Sequence, residues 1–246
     1  MMTPIQVELY LNELKEGLKK DLSELKEMPR IAFVELGHDE ALARSITRKK
    51  KFCEEFGIIV NWYNYPKSTD FETLELEVSD LEPHYDGIAV FPYSKINKTT
   101  ISANKDIMGF NGGCVPIGSR AVLDYIKESK IRVAGRDVVV VGRRDYFGKD
   151  LANRLIDADA TVTVCHSRSN LEPHLYHCDL VIATSGKPMS LDCHNIQVPV
   201  IDAGVSYDSD GYPCGDCYNK EDIVFIEELI NCALVRNIIE VAANDD

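Results

Sequence analysis

The pattern of apolar and polar positions predicts helices that alternate with buried strands. Residues 138–141 are four valines in a row, and Gly142 follows them. An unbroken apolar run of this kind is typical of a strand that is covered on both faces of a parallel sheet. Apolar segments at 31–36, 58–65 and 87–91 are separated by stretches with helical spacing. This βαβαβ order predicts a parallel sheet in the N-terminal half.

A second alternating series follows, so the chain is expected to form two α/β lobes. The glycine-rich stretch at 104–118 predicts the crossing between the lobes, with a ligand cleft where the lobes meet. The remaining predicted strands are 161–165, 179–183 and 198–202. The predicted helices are 5–27, 41–56, 69–81, 97–104, 116–129, 149–158, 171–177 and 221–243, with a turn at 37–40.

Composition narrows the expected partners and compartment. A net charge of −13 over 246 residues argues against binding to nucleic acid or to an anionic membrane surface. No apolar run approaches the roughly 20 residues that cross a bilayer, and the acidic, amphipathic start differs from a signal peptide. Eight scattered cysteines favour reduced thiols in a cytoplasmic protein. The lone C-x-x-C at 214–217 favours free thiols over a metal site.

The turn after the valine run is the first candidate site. Gly142 and Gly148 flank it, and helical spacing resumes at residue 149. The free N–H groups and the dipole of a helix N-terminus favour a phosphate there. Arg143 and Arg144 add positive charge. The spacing is Gly-x5-Gly rather than G-x-G-x-x-G, so a tight turn without a ligand is an equal alternative on this motif alone.

The residues that follow the next strand, at 161–165, favour a nucleotide site over a turn without a ligand. An acidic residue normally follows such a strand and accepts the ribose 2′-hydroxyl of NAD, but His166, Ser167 and Arg168 stand here. A hydroxyl and a guanidinium suit the 2′-phosphate of NADP, and a solvated basic loop is the alternative. NADP is therefore the expected cofactor, with NAD possible. Further cofactor-binding candidates follow two later strands: Ser185, Gly186, Asp202 and Gly204.

Five motifs of the C-terminal half occur in a familiar order: VVGRRDYFGKD, TVTVCHSRS, SGKP, VIDAGVS and GDC. They resemble the bifunctional methylenetetrahydrofolate dehydrogenase/cyclohydrolase family, FolD-type. In the N-terminal half, YDGIAVFP, KDIMGF and CVPIG resemble motifs of the same family. The resemblance implies a folate-site lobe over 1–115 and a Rossmann-type NAD(P)-binding lobe over 116–225. It further implies a C-terminal helix, 226–246, that returns to the first lobe, and a homodimer.

Departures from the family pattern fall at its chemical positions. The resemblance makes Lys49 the catalytic lysine and makes Ser45, Phe91 and Met108 the substrate-binding positions, where the family has tyrosine, glutamine and aspartate. Phenylalanine cannot hydrogen-bond to the lysine, and methionine cannot accept the two hydrogen bonds that a carboxylate accepts from a pterin. Arg144 replaces a serine, so that it either pairs with a phosphate or fills the space that a phosphate needs.

The resemblance implies an NADP-dependent enzyme that transfers a hydride from a one-carbon tetrahydrofolate adduct. Because of the departures, cyclohydrolase activity is expected to be weak or absent. Two alternatives stay open. One is a catalytically degenerate family member that binds a dinucleotide as a sensor or assembly subunit. The other is an oxidoreductase for a different, more apolar substrate.

Overall fold

A computed structural model describes residues 2, 4–37, 39–92, 100–208 and 212–244. The chain divides into two compact units. The first combines Met1–Tyr10 with Gly118–Ile230, and the second combines Leu11–Ile117 with Asn231–Asp246. They are called the five-stranded unit and the three-stranded unit after their sheets. The lobe boundaries expected at 115 and 225 stay a prediction.

The three-stranded unit contains the parallel sheet predicted from the βαβαβ pattern. Its strands are β1 (Arg30–Leu36), β2 (Ile59–Tyr65) and β3 (Gly87–Phe91), in the order β2-β1-β3. All pairs are parallel, so that prediction is confirmed. The helices of the first half of the chain are α1 (Pro4–Ser23), α2 (Glu40–Glu55) and α3 (Phe71–Leu81), followed by a 3-10 turn at Glu82–His84.

Aspartates fix the starts of the two crossover helices. The Asp39 side chain accepts a hydrogen bond of 3.0 Å from the Leu42 N–H at the start of α2. The Asp70 carboxylate accepts one of 2.8 Å from the Thr73 N–H at the start of α3. These bonds satisfy backbone donors that have no partner within a helix. Hydrogen bonding to Thr73 also lowers the pKa of Asp70.

Two helix predictions in this half need correction. Helix α1 ends at Ser23 rather than at residue 27. At this end, the Ser23 hydroxyl donates to the Lys20 carbonyl over 2.6 Å. Residues 100–104 form bends and turns rather than helix, because Ser102 donates from its N–H and hydroxyl to the Glu82 carboxylate. Residues 97–99 of that predicted helix, and His38 in the predicted turn, lie outside the described residues.

The five-stranded unit contains a second parallel sheet. Its strands are β4 (Asp137–Val141), β5 (Thr161–Cys165), β6 (Leu180–Ala183), β8 (Val200–Asp202) and β12 (Val224–Phe225). Their order is β12-β8-β6-β4-β5, so the chain adds β5 on one side of β4 and then β6 on the other. Such a reversal of strand order is where α/β folds form ligand crevices, at the carboxyl ends of the strands.

Shorter elements complete the chain. Strand β7 (Leu191–Asp192) pairs with β11 (Cys217–Tyr218), and β9 (Ser206–Tyr207) pairs with β10 (Pro213–Cys214). The helices are α4 (Ile117–Glu128), α5 (Asp150–Asp157), α6 (Glu172–Tyr176) and α7 (Glu227–Asn244).

The sequence pattern predicts that the last helix begins at residue 221, which is wrong. Residues 224–225 instead form β12, which pairs with β8. The Ile226 N–H donates to the Asp202 carbonyl over 3.1 Å, which extends the ladder up to the residue before α7.

Candidate functional site

The turn between β4 and α5 requires both of its glycines. Gly142 has φ +139°, and a Cβ on it would overlap the Thr184 hydroxyl. A Cβ on Gly148 would overlap the Gly142 carbonyl. Residues Asp145–Lys149 form one wide π turn before α5 begins, in which the Phe147 and Lys149 N–H groups donate to the Arg144 carbonyl over 3.1 Å. Backbone therefore approaches backbone closely here, and neither glycine position has room for a side chain.

Two arginines extend from this turn into solvent. Arg143 and Arg144 are exposed, and their guanidinium groups form no hydrogen bond or ion pair with any residue that the structure describes. Arg144 reaches the turn that follows β6. A Cβ placed on Gly186 would lie 3.3 Å from the Nη1 atom of Arg144. Gly186 has φ +64°, which favours glycine there for backbone reasons as well.

The end of β5 holds a compact turn. The Arg168 N–H donates to Nδ1 of His166 over 3.1 Å, and the His166 N–H donates to the Ser169 hydroxyl over 3.0 Å. These bonds occupy the inner side of the turn and leave Ser167 and Arg168 exposed. The structure thus places a hydroxyl and a guanidinium in solvent at the edge where the sequence predicts the 2′-phosphate of NADP.

Asp216, which is not among the site residues predicted from the sequence, holds the turn after β6. Its buried carboxylate accepts hydrogen bonds from the N–H groups of Ser185 (2.6 Å), Gly186 (3.2 Å) and Lys187 (2.8 Å). Three backbone N–H groups of a loop that contains predicted cofactor-binding residues are therefore already hydrogen-bonded to a protein carboxylate. The GDC motif contains Asp216 and was the available signal, but nothing in it indicates which loop the carboxylate reaches.

Asp202 supports the next loop in the same way. It is 1% exposed and accepts hydrogen bonds from the N–H groups of Gly204 (3.0 Å), Asp216 (3.1 Å) and Cys217 (2.8 Å). Burial raises the pKa of Asp202, and the hydrogen bonds oppose that rise. Asp202 and Gly204 thus belong to the support of the loop, and their contact with a cofactor stays a prediction.

In the three-stranded unit, α2 brings two predicted site residues together. The Lys49 ammonium donates a hydrogen bond of 3.1 Å to the Ser45 hydroxyl one helical turn earlier. The neighbouring lysines have other environments. Lys50 pairs with Glu54 and donates to the Val60 carbonyl over 3.0 Å, whereas Lys51 is exposed. The helix therefore separates three consecutive lysines into three distinct positions.

Phe91 and Met108 belong to the core of the same unit. Phe91 is 2% exposed, and its ring packs edge-on against Phe33 with 5.4 Å between ring centroids. Met108 is 7% exposed, and its N–H donates to the buried Asp106 carboxylate over 3.0 Å. Asp106 also accepts hydrogen bonds from the N–H groups of Phe110 and Asn111. Burial raises the pKa of Asp106 despite these bonds.

The described residues contain no group of three or more His, Cys, Asp or Glu side chains that could hold a metal ion. None of the described helices is long and apolar enough to span a membrane. All eight cysteines are free thiols, and seven are buried.

A parallel sheet with a strand-order reversal at β4, glycines in the turn at its edge and basic side chains after β4 and β5 defines a dinucleotide-binding α/β domain. Residues 114–229 match the family model described as "Tetrahydrofolate dehydrogenase/cyclohydrolase, NAD(P)-binding domain". The bifunctional protein FolD of Campylobacter concisus is 33% identical over 229 residues, which cover 83% of this chain and 81% of that protein. The chain belongs to the bifunctional FolD family, so the resemblance seen in its motifs is confirmed.

Solved structures agree with the fold over nearly the whole chain. The bifunctional enzyme FolD from Campylobacter jejuni has a TM-score of 0.84 and 24% identity, with 97% of each chain covered. The Trypanosoma brucei FolD, solved with NADP cofactor and an inhibitor, has a TM-score of 0.82 and 22% identity, with 96% of each chain covered. The predicted α/β fold with a Rossmann-type C-terminal lobe is thereby confirmed.

Proposed function

We propose that this protein is an NADP-dependent 5,10-methylenetetrahydrofolate dehydrogenase that transfers a hydride from a one-carbon tetrahydrofolate adduct. The observation that carries the proposal is the similarity to a bifunctional FolD over 83% of the chain, which takes in most of both units. The glycine-lined, basic edge of the five-stranded sheet supports it independently. The site residues predicted from the sequence belong to this proposal.

The residues at that edge fit a dinucleotide. Gly142 and Gly148 place no side chain at two positions of the turn after β4, and Arg143 offers a guanidinium in the same turn. Ser167 and Arg168 would hold the 2′-phosphate, because their side chains are exposed while the backbone of their turn is already hydrogen-bonded. Bound NADP supplies the hydride acceptor, and a lone pair on the substrate's nitrogen assists departure of the hydride.

Lys49 and Ser45 are proposed to serve the folate side of the reaction. The Ser45 hydroxyl accepts a hydrogen bond from the Lys49 ammonium and so limits the positions that the lysine can take. An ammonium fixed in this way can orient a polar substrate group by hydrogen bonding. Proton transfer in a cyclohydrolase step needs an amine whose pKa is brought near neutrality.

Cyclohydrolase activity is proposed to be weak or absent. The buried Phe91 ring offers no hydrogen-bond acceptor to tune a lysine, and Met108 offers no carboxylate to a pterin ring. Hydride transfer depends more on positioning than on acid–base help from the protein. Hydride transfer should therefore survive these changes better than the cyclohydrolase step.

Oligomeric state, compartment and lobe boundaries complete the proposal. We propose a homodimer in the cytoplasm, with a folate-site lobe over 1–115, a cofactor lobe over 116–225 and the helix at 226–246 returning to the first lobe. Light scattering coupled to gel filtration tests the dimer. A single mass of about 27.6 kDa at micromolar concentration would contradict it.

Formation of NADPH from NADP in the presence of methylenetetrahydrofolate, followed at 340 nm, tests the activity. The expected result is turnover with NADP as the better cofactor, together with slow hydrolysis of the methenyl product. Absence of turnover at high enzyme concentration, with dinucleotide binding intact, would exclude the dehydrogenase function.

Lysine variants test the proposed role of α2. Lys49→Ala should lower kcat at least tenfold, because it removes the amine that positions the substrate. Lys51→Ala, two positions away and exposed, is the matched control and should retain activity. Equal activity of both variants would remove Lys49 from the site.

A further inference from the structure

We propose that Arg144 binds the diphosphate group of the dinucleotide and is this chain's main cationic contact to it. The inference rests on the proposed function and deepens it. It concerns a position where the sequence departs from the family motif, which has serine. Arg144 belongs to the turn after β4, and its guanidinium lies beside Gly186 in the turn after β6. It therefore reaches from one strand end to the next across the edge of the sheet.

The backbone hydrogen bonds of the turn after β6 give a side-chain cation a role at this place. In many α/β folds, backbone N–H groups at strand ends bind the phosphates. Here the N–H groups of Ser185, Gly186 and Lys187 all donate to the Asp216 carboxylate. These three donors are unavailable to a ligand, and the carboxylate beneath them places negative charge below the loop. A cation near this loop would offset that charge, and the Arg144 guanidinium lies beside the loop at Gly186.

The environment of Arg144 leaves its guanidinium available. It is exposed and has no hydrogen bond or ion pair with a described residue, so no contact with the described part of the chain must break before an anion binds. A guanidinium can bind two phosphate oxygens at once through parallel N–H groups. The neighbouring acidic residue, Asp145, forms an ion pair of 2.6 Å with Lys149. That ion pair does not involve the Arg144 guanidinium.

Arg144 and Arg168 are proposed to bind different phosphate groups of the same ligand, so their contributions to binding can be measured separately. Arg168 follows β5, on the other side of β4 from β6, and is proposed to meet the 2′-phosphate that only NADP carries. Arg144 points to the β6 side and would meet the diphosphate that NADP and NAD share. Loss of Arg144 should therefore weaken both dinucleotides by the same factor, whereas loss of Arg168 should weaken NADP alone.

The test measures the Kd of the full-length chain by calorimetry for four probes: NADP, NAD, ADP-ribose and 2′-AMP. ADP-ribose has the diphosphate without the 2′-phosphate, and 2′-AMP has the reverse. Arg144→Ser should raise the Kd of NADP, NAD and ADP-ribose roughly tenfold each and leave 2′-AMP unchanged. Raised salt should weaken dinucleotide binding less in this variant than in the wild type, because one ionic contact has been removed.

Matched variants make each outcome decisive. Arg168→Ser should weaken NADP and 2′-AMP only. Arg132→Ser removes the same charge just before β4, at the amino end of the strand, and should change nothing. Tighter binding by Arg144→Ser would show that the arginine fills the phosphate space, and unchanged binding would show that it makes no contact. Either result overturns this inference alone. A wild-type chain that binds none of the four probes would instead overturn the proposed function, and this inference with it.

Discussion

At the scale of single residues, two glycines of the five-stranded unit each lie against an aspartate carboxyl group. A Cβ on Gly204 would overlap the Asp216 carboxyl, and a Cβ on Gly215 would overlap that of Asp202. The two carboxylates are buried and surrounded by backbone donors, so neither can move aside without losing several hydrogen bonds. Glycine is required at both positions by space rather than by a positive φ.

Gly204→Ala should therefore destabilise the protein by about 1–3 kcal/mol, since the added methyl group forces a buried polar group to shift. Urea unfolding measures this change. Gly17→Ala is the control, because Gly17 is exposed in α1 with no atom within 4 Å of an added Cβ. It should stabilise the chain by about 0.5–1 kcal/mol through helix propensity. A Gly204 variant as stable as the wild type would contradict the packing described above.

Cysteine reactivity should differ sharply between single residues. Cys214 is half-buried, whereas the other seven cysteines are buried. Burial also raises the pKa of Cys53 to about 12, which keeps it a thiol at neutral pH. Since the thiolate is the nucleophile, iodoacetamide at pH 8 should modify Cys214 first, and slowly, because burial raises its pKa too. Peptide mass spectrometry checks the order, and Cys214→Ser should abolish the early label. Early labelling of Cys53 would contradict this burial.

At the scale of elements, the described strands of three or more residues could be predicted and the two-residue strands could not. The valine run of β4 and the apolar segments of β1 and β3 are explicit in the sequence because both sheet faces are covered. Strands β7 and β11 have two residues each, and only their pairing defines them. The sequence pattern predicts helix over β12 because apolar residues continue into α7. Pairing with β8 outweighs that local pattern, since it satisfies backbone groups that would otherwise be unpaired.

The loop after β6 provides a prediction at this scale. Asp216→Asn replaces one carboxylate oxygen with an NH2 group, which cannot accept hydrogen bonds, so at least one of the three N–H groups of residues 185–187 loses its partner. The cost should be about 1–3 kcal/mol. Hydrogen exchange of these three amides should accelerate. Asp145→Asn weakens a surface ion pair and should cost less than about 1 kcal/mol. Unchanged exchange in the Asp216 variant would show that the carboxylate does not hold the loop.

At the scale of the whole molecule, each unit contains a buried aspartate that supports a loop. Burial raises the pKa of both Asp106 and Asp202 above the ordinary value of 3.8. Between 3.8 and the raised value, the folded state binds more protons than the unfolded state. Both groups therefore make the free energy of unfolding decrease as pH rises through that window, and their contribution is most favourable at its acid end.

Asp202→Asn removes one of these titrations. The stability of the wild type relative to this variant should be greatest near pH 4 and should decline as pH rises through the window. Urea unfolding at steps of half a pH unit measures the difference. Asp145→Asn, whose carboxylate is exposed, is the control and should not reproduce this trend. A wild-type advantage that grows with pH would show that hydrogen bonding, rather than burial, dominates at Asp202.

The sequence by itself determined the fold class, the family and the edge of the sheet where chemistry is expected. Those features depend on local runs and on motif order: four valines before Gly142, basic residues after β5, and Lys49 one helical turn after Ser45. Only the tertiary structure decided which backbone donors are already hydrogen-bonded and which side chains are buried or reach a neighbouring loop. Asp216 and Asp202 take up the backbone donors of two loops from positions distant in sequence, Phe91 packs into the core, and Arg144 reaches the turn at Gly186. Hydrogen-bond partners and free space arise from chain segments that fold together, and no local pattern contains them.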